Sequence, residues 1–542
     1  MTTSLTHGVH DDVTMHILAN YFKTTVNEAE AALVRAAYSP IIKESFDCSV
    51  AIVSPTGEYW AQADAVPGQL GVLAPATVEV IAKHAASNPI PLRHGDIVLS
   101  NDPYLGCPHL NDFVSVQPVY AGDALLCYVA TLAHYTDVGG KTPGSMPADA
   151  TEIYQEGLRL PPRLIMHDDR IDESTVELLM ANSRTPDFLR GDLHAQIAAS
   201  KLATRSVAEA VRRYGADGVR TYLDRYLDYT ERLIRNQLNA FRPGTYTASR
   251  PIDWLHDERS ADDAPPAHVV VDLTVTQDGL LVDYSRSVDQ VDKPINAVAS
   301  NAQAAALGGV RAMLEPHTPI TGGLQRVFAT RTRTGSILDP VLPAPVGARA
   351  IVAAAAFHVV VDCLGQAFPP RAAASSSGGS TMPYTWMSTA RREGPSVLLV
   401  DNSLRGGAGA TATSNGGSAI DNSLTNATNY PVEVLEQDYP VRIERNEIRR
   451  GSGGAGAHAG GDGLTRAVRF LEPGVLSIRG HHDHFPPRGS AGGHDGSPAE
   501  FWLRRDGQDT RLPGTATAVP TLADDVFIAH TPGGGGYGTP TV

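Results

Sequence analysis

Three residues of types that bind hard or borderline cations, His109, Asp112 and His134, fall within one stretch of the chain, residues 101–162. Two imidazoles and a carboxylate suit Zn, Mn or Fe(II) and leave coordination positions for water or substrate. Sharing one ion requires the chain to fold back on itself. The β-rich runs 113–120 and 124–135 are separated only by Ala121, Gly122 and Asp123, which is a hairpin pattern. Reversal at Gly122 brings His134 level with the region of Leu110, so the three side chains meet at the open end of the hairpin. Regular strand geometry would send His109 and Asp112 to opposite faces, so the backbone must be irregular there, as Gly106 and Pro108 allow. The competing reading is that they are surface or hydrogen-bonded core groups, which is ordinary in a chain with 19 histidines.

Other residues near this stretch invite the same weighing. Asp47 heads an earlier strand-turn-strand segment between Phe46 and Cys48, where a buried carboxylate needs a partner and a fourth metal position would provide one. An exposed or capping aspartate is the alternative. Glu152 and Glu156, four apart, and Arg159 form one polar face if helical, either solvated or supporting the metal hairpin. Gly139–Thr142 resembles the end of a phosphate-binding loop but lacks the earlier glycine at Tyr135, so no nucleotide site is expected. The run from His481 to Phe485 reads as a surface or subunit-contact loop rather than a second metal site, because consecutive histidines cannot all face one ion.

The chain is long for one core: 542 residues predict two or three domains. A formal charge of −15 argues against nucleic acid as a partner. Cys48, Cys107, Cys127 and Cys363 are scattered and read as reduced thiols. The N-terminus shows neither a basic start nor an apolar run, and the apolar stretch around His358 and Asp362 is short of a membrane span, so cytoplasm without membrane attachment is expected.

The predicted fold class is α+β, a mixed multi-layer fold. N-terminal hairpins surround the metal site in 1–165, a central long-helix pair occupies 166–245, an α+β region follows in 246–370, and a β-rich glycine-loop region fills 371–542. The first helix is expected over 13–38, with Ile17, Tyr21, Leu33 and Ala37 among its apolar positions. A helix over 174–183 should start with a Ser174 cap and Glu177 three residues on. Long helices are expected over 186–214 and 217–241, a further helix over 68–87, and buried small-residue helices over 297–314 and 346–364. The glycine runs after Ser375 alternate with strand-like segments, so they are tight backbone packing or ligand-contact loops in a folded region.

NDPYLGCPHLND, AHYTDVGGKTPGSMPADATEIYQEGLRLPP, GDLHAQIAA, PINAVASN, GSILDPVLPAPV, NYPVEVLEQDYPVRI, GSGGAGAHAGGDG and TPGGGGYG occur in this order. In them, from about residue 14 onwards, the chain resembles the hydantoinase B/oxoprolinase family, which includes subunits of ATP-dependent hydantoinases, caprolactamases and acetone or acetophenone carboxylases. The resemblance implies a divalent metal, Zn, Mn or Fe, held by His109, Asp112 and His134, with Asp47 a less secure fourth. It implies a hetero-oligomer with a hydantoinase A-like ATPase that binds ATP and Mg and phosphorylates a small cyclic amide. This chain would then hydrolyse the activated substrate, with Asp137 or Glu152 accepting the proton. A carboxylase subunit acting on a ketone, or a non-catalytic scaffold for the ATPase, are the alternatives. One departure bears on substrate: Ala65 and Gln69 stand where many hydantoinase-type members are expected to carry histidine.

Overall fold

A computed structural model describes residues 12–88, 90–255, 268–377, 384–390, 397–402, 404–420, 424–425 and 427–540. Its N-terminal half is built on one seven-stranded antiparallel sheet. In chain order the strands are β1 (Cys48–Val53), β2 (Tyr59–Gln62), β3 (Ile97–Ser100), β4 (Asp112–Ala121), β5 (Ala124–His134), β6 (Arg163–His167) and β7 (Arg170–Ile171); in space they run β2-β1-β5-β4-β3-β6-β7. The two sequence-predicted hairpins therefore lie side by side, with β1 paired to β5. Gly122, at φ 61°, makes the reversal between β4 and β5.

Alternation along these strands feeds two cores. Val50, Ile52, Phe113 and Val129 join the layer formed by helices Asp12–Ala36 and Pro186–Tyr214, while Ala51, Val114, Val116 and Leu132 pack with helix Leu73–Ser87. Burial on both faces explains why β1 reads as a continuous apolar run. The first helix buries Leu18, Phe22, Val26, Ala29 and Leu33; of the expected apolar positions Leu33 and Ala37 are buried, while Ile17 and Tyr21 are exposed and their neighbours Leu18 and Phe22 face the core instead. The next helical stretch divides into Pro67–Leu70 and Leu73–Ser87. The helix expected at 174–183 spans Glu173–Ala181 and is capped by Asp172, which accepts from Ser174 N, in place of Ser174.

The long helices are Pro186–Tyr214 and Ala216–Leu238, joined at Gly215. The second of them bridges two cores: Val219, Leu223 and Leu227 belong to the N-terminal one, Ile234 and Leu238 to the next. That next core lies under a four-stranded sheet (Gly244–Pro251, His268–Thr276, Gly279–Asp283, Phe328–Arg331) covered by helices Ala299–Ala312 and Ala350–Ala367. Ala350–Ala367 is apolar and long enough to cross a membrane by composition, but it is mostly buried in this core.

Four- and five-stranded sheets form the C-terminal part around Trp386, Phe470 and Phe501. Its glycine runs are backbone packing. Gly454 N donates to Gly534 O, Gly534 N to Gly461 O and Gly461 N to Ala408 O, each at 2.9 Å. A Cβ on Gly407 would stand 1.9 Å from Gly461 O, so only glycine permits these segments to lie together. The four cysteines are buried and free.

Candidate functional site

His109, Asp112 and His134 converge. Asp112 and His134 are direct partners across β4 and β5. His109 lies in the turn just before β4, closed by Asp112 N donating to His109 O at 3.0 Å, which supplies the irregularity the pair needs. The loop is held by amide side chains. Asn101 Nδ2 donates to Leu110 O (2.6 Å) and Leu158 O (2.9 Å), and Asn111 Nδ2 donates to Tyr135 O (2.8 Å).

All three side chains are buried. His134 Nδ1 is 3.0 Å from Asp112 Oδ1 and His109 Nε2 is 3.3 Å from Asp112 Oδ2. Two donors sharing one small divalent cation at ~2.1 Å lie about 3–3.4 Å apart. Among the described residues, Nδ1 of His109 and Nε2 of His134 are buried without a hydrogen bond. Buried polar atoms normally find partners, so these fit a cation-binding set. Burial and the Arg349 charge pull His109 down to about 3, keeping it a neutral imidazole. Burial works against the charge on Asp112, but His109, Arg349 and the imidazole hydrogen bonds outweigh it and hold the carboxyl well below the usual range. Arg349, just ahead of helix Ala350–Ala367, donates to Asp112 Oδ2 at 2.7 Å.

Asp47 lies beside the trio but further away. Its Oδ2 is 3.9 Å from His134 Nδ1, and its Oδ1 accepts from Gln69 Nε2 at 2.9 Å. Its neighbour Phe46 has φ 59°, a conformation bulky residues avoid, and His134 N donates to Asp47 O at 3.1 Å. Burial pushes the Asp47 carboxyl upward against the pull of His134.

A cavity of about 130 Å³ adjoins this cluster. Its lining combines apolar residues, Ile41, Val66, Ala304, Ala305, Ile351 and Ala354, with the polar Asp47, Gln69, His109, His134, Asn301 and Arg479. Among the described residues, Gln69 Oε1, Asn301 Oδ1 and Arg479 Nη2 are also buried without hydrogen bonds. Arg349, Asn301 and Arg479 have no signal in local spacing: they come from remote elements, Arg479 from the strand Gly474–Arg479 of the C-terminal sheet. Gln69 is visible in the sequence only as a departure from the family pattern.

The expected proton acceptors lie elsewhere. Asp137 is fully buried and accepts from Gly144 N (2.9 Å), Gly139 N (3.1 Å), Arg184 N (2.8 Å) and Arg184 Nη1 (2.9 Å). Its lone pairs hold the 137–145 loop together. Glu152 precedes a single 3-10 turn, Ile153–Gln155, and like Asp137 it does not line the cavity. The Glu152/Glu156 pair is not one solvated helical face. Glu156 is buried, accepts from Val346 N (3.0 Å) and Gly347 N (2.7 Å), and burial pushes it up to about 8.

The histidine run corrects its expectation too: His481 and His482 are buried, not on a surface loop. His481 Nε2 is 3.5 Å from Asp253 Oδ2, and Asp253 accepts from His482 N and, at 2.8 Å, from Phe485 N.

Comparison with known proteins gives the same assignment as the motifs. The hydantoinase B/oxoprolinase family profile matches residues 11–540. The chain is 28% identical to a putative D-/L-hydantoinase subunit, the B component, of Pseudomonas sp. (strain NS671), over 98% of this chain and 90% of that protein. It is 29% identical to the 5-oxoprolinase of Dictyostelium discoideum over 97% of its own length but spans only 40% of that protein. The ATP-dependent caprolactamase from Pseudomonas jessenii has the same fold, with TM-score 0.89 and 25% identity over 98% of this chain and 92% of that one. A nucleotide-free acetone carboxylase is alike in fold at TM-score 0.88 and 17% identity, covering 98% and 76% of the two chains. The chain thus belongs to the hydantoinase B/oxoprolinase family.

Proposed function

We propose that this chain is the metal-bearing component of an ATP-dependent cyclic amide hydrolase, working on a substrate first phosphorylated by an ATPase partner. The carrying observation is the convergence of His109, Asp112 and His134, with an unpartnered nitrogen on each imidazole, beside a cavity lined by both apolar and polar residues. The relatives named as a hydantoinase subunit and as an ATP-dependent caprolactamase support the partner and the reaction class. His109, Asp112 and His134 would hold the divalent ion, Zn, Mn or Fe, which supplies Lewis-acid polarisation when bound.

The chain's own residues supply the rest. Arg349 fixes the Asp112 carboxylate and keeps it ionised. The alanine side chains of the lining accommodate ring methylenes. Asp47, expected as a less secure fourth metal position, has Oδ2 3.9 Å from His134 Nδ1 and takes the proton of the attacking water, with Gln69 orienting it. This replaces Asp137 and Glu152 in that role. The test is hydrolysis of a lactam or hydantoin by the co-purified subunits with ATP consumed. Activity surviving intact in His134→Ala would refute the reading.

A carboxylase subunit is the second reading, favoured by Gln69: a neutral amide faces the cavity where histidine is expected in hydantoinase-type members. Labelled bicarbonate recovered in product would select it.

A further inference from the structure

We propose that Arg479 is the anion receptor of this cavity, binding an oxyanion carried by the substrate, either a phosphoryl group or a carboxylate. Arg479 is 5% exposed, and the polar contact its guanidinium makes is Nη1 to the thioether of Met146 at 2.5 Å. A thioether is a weak acceptor for a cation. Among the described residues, Nη2 has no hydrogen-bond partner and no carboxylate forms an ion pair with Arg479. The residue nevertheless lines the cavity shared with His109 and His134.

Burying a guanidinium without a partner is costly, and a planar fork of donors matches a carboxylate or phosphate edge. Burial, reinforced by repulsion from Arg349, pulls Arg479 down to about 9, so it remains a cation at neutral pH. The carboxyl that acts on it, Glu156, is pushed up to about 8 by burial and has both oxygens committed to the Val346 and Gly347 amides. The lining of the cavity therefore combines a cationic donor with apolar side chains. That matches a small apolar ring bearing one oxyanion. Naming that oxyanion as part of the reacting substrate rests on the proposed function; the binding itself does not.

The test uses the full-length, metal-loaded chain with inorganic phosphate as probe, followed by 31P line broadening, and acetate as competitor. Wild type should bind phosphate, and Arg479→Met should weaken binding by about tenfold or more with metal content unchanged. Its melting temperature should be unchanged or raised, because an unpaired buried charge has been removed. Arg479→Lys should bind with intermediate affinity. Acetate competing at lower concentration than phosphate identifies the anion as a carboxylate; the reverse identifies a phosphoryl group. Three results overturn the proposal: no binding of either anion to wild type, undiminished binding by Arg479→Met, or a lowered melting temperature that marks the ion as structural. Arg479-dependent binding in a two-subunit enzyme that hydrolyses no cyclic amide would sink the proposed reaction while leaving the anion site standing.

Discussion

Two buried clusters in this chain each hold one aspartate and two histidines, and their carboxylates are spent differently. Asp253 uses its oxygens on the backbone amides of His482 and Phe485, and His482 Nδ1 lies 2.6 Å from Phe485 O, so the side chains tie down their own loop. The His481 and His482 rings stack at 3.8 Å. Asp112 instead meets only side chains, the two imidazoles and Arg349, beside a cavity that His109 and His134 line. Equal residue types thus give a loop clamp in one place and, in the proposed function, a donor set in the other. What separates them is whether backbone amides have already claimed the carboxylate.

Metal content breaks or sharpens this contrast most strongly. His109→Ala should lower ion affinity and ATP-dependent turnover by more than about a hundredfold, while His481→Ala keeps the ion. Asp253→Ala should do the opposite, leaving metal intact but costing about 3 kcal/mol in denaturant unfolding as two buried amides lose their acceptor. Arg349→Lys keeps a charge beside Asp112 but loses the planar fork, and should weaken metal retention by about tenfold in a chelator competition.

The smallest effect is a pH dependence. Burial pulls His481 and His482 down to about 3. Their unfolded forms take up protons first, so the stability they contribute is present above about pH 6.5 and is lost as pH falls toward 3. His481→Gln should flatten the fall in melting temperature across that window, and an unchanged slope would show that these imidazoles do not titrate on unfolding.

The sequence foretells what depends on neighbours along the chain. The β4/β5 hairpin and its reversal at Gly122 follow from alternation and one turn, the meeting of His109, Asp112 and His134 needs in addition the irregular backbone at 109–112, and the structure has all of these. The phase of the first helix is hidden because Ile17 and Tyr21 are as apolar as the residues that face the core, and only packing distinguishes them. Asp137 looks available in the sequence because its captor, Arg184, lies far along the chain. Arg349, Asn301 and Arg479 reach the cavity from three separate elements, a convergence no local pattern records. His481 and His482 read as surface residues because the carboxylate that buries them, Asp253, is also remote in sequence.

An anomalous-scattering map of crystals of the full-length chain, collected at the absorption edge of the bound metal, tests the central claim most directly. The account predicts one peak per chain, bounded by His109, Asp112 and His134, with no peak near His481. A peak at Asp253 and His481 with none at His134 would contradict it.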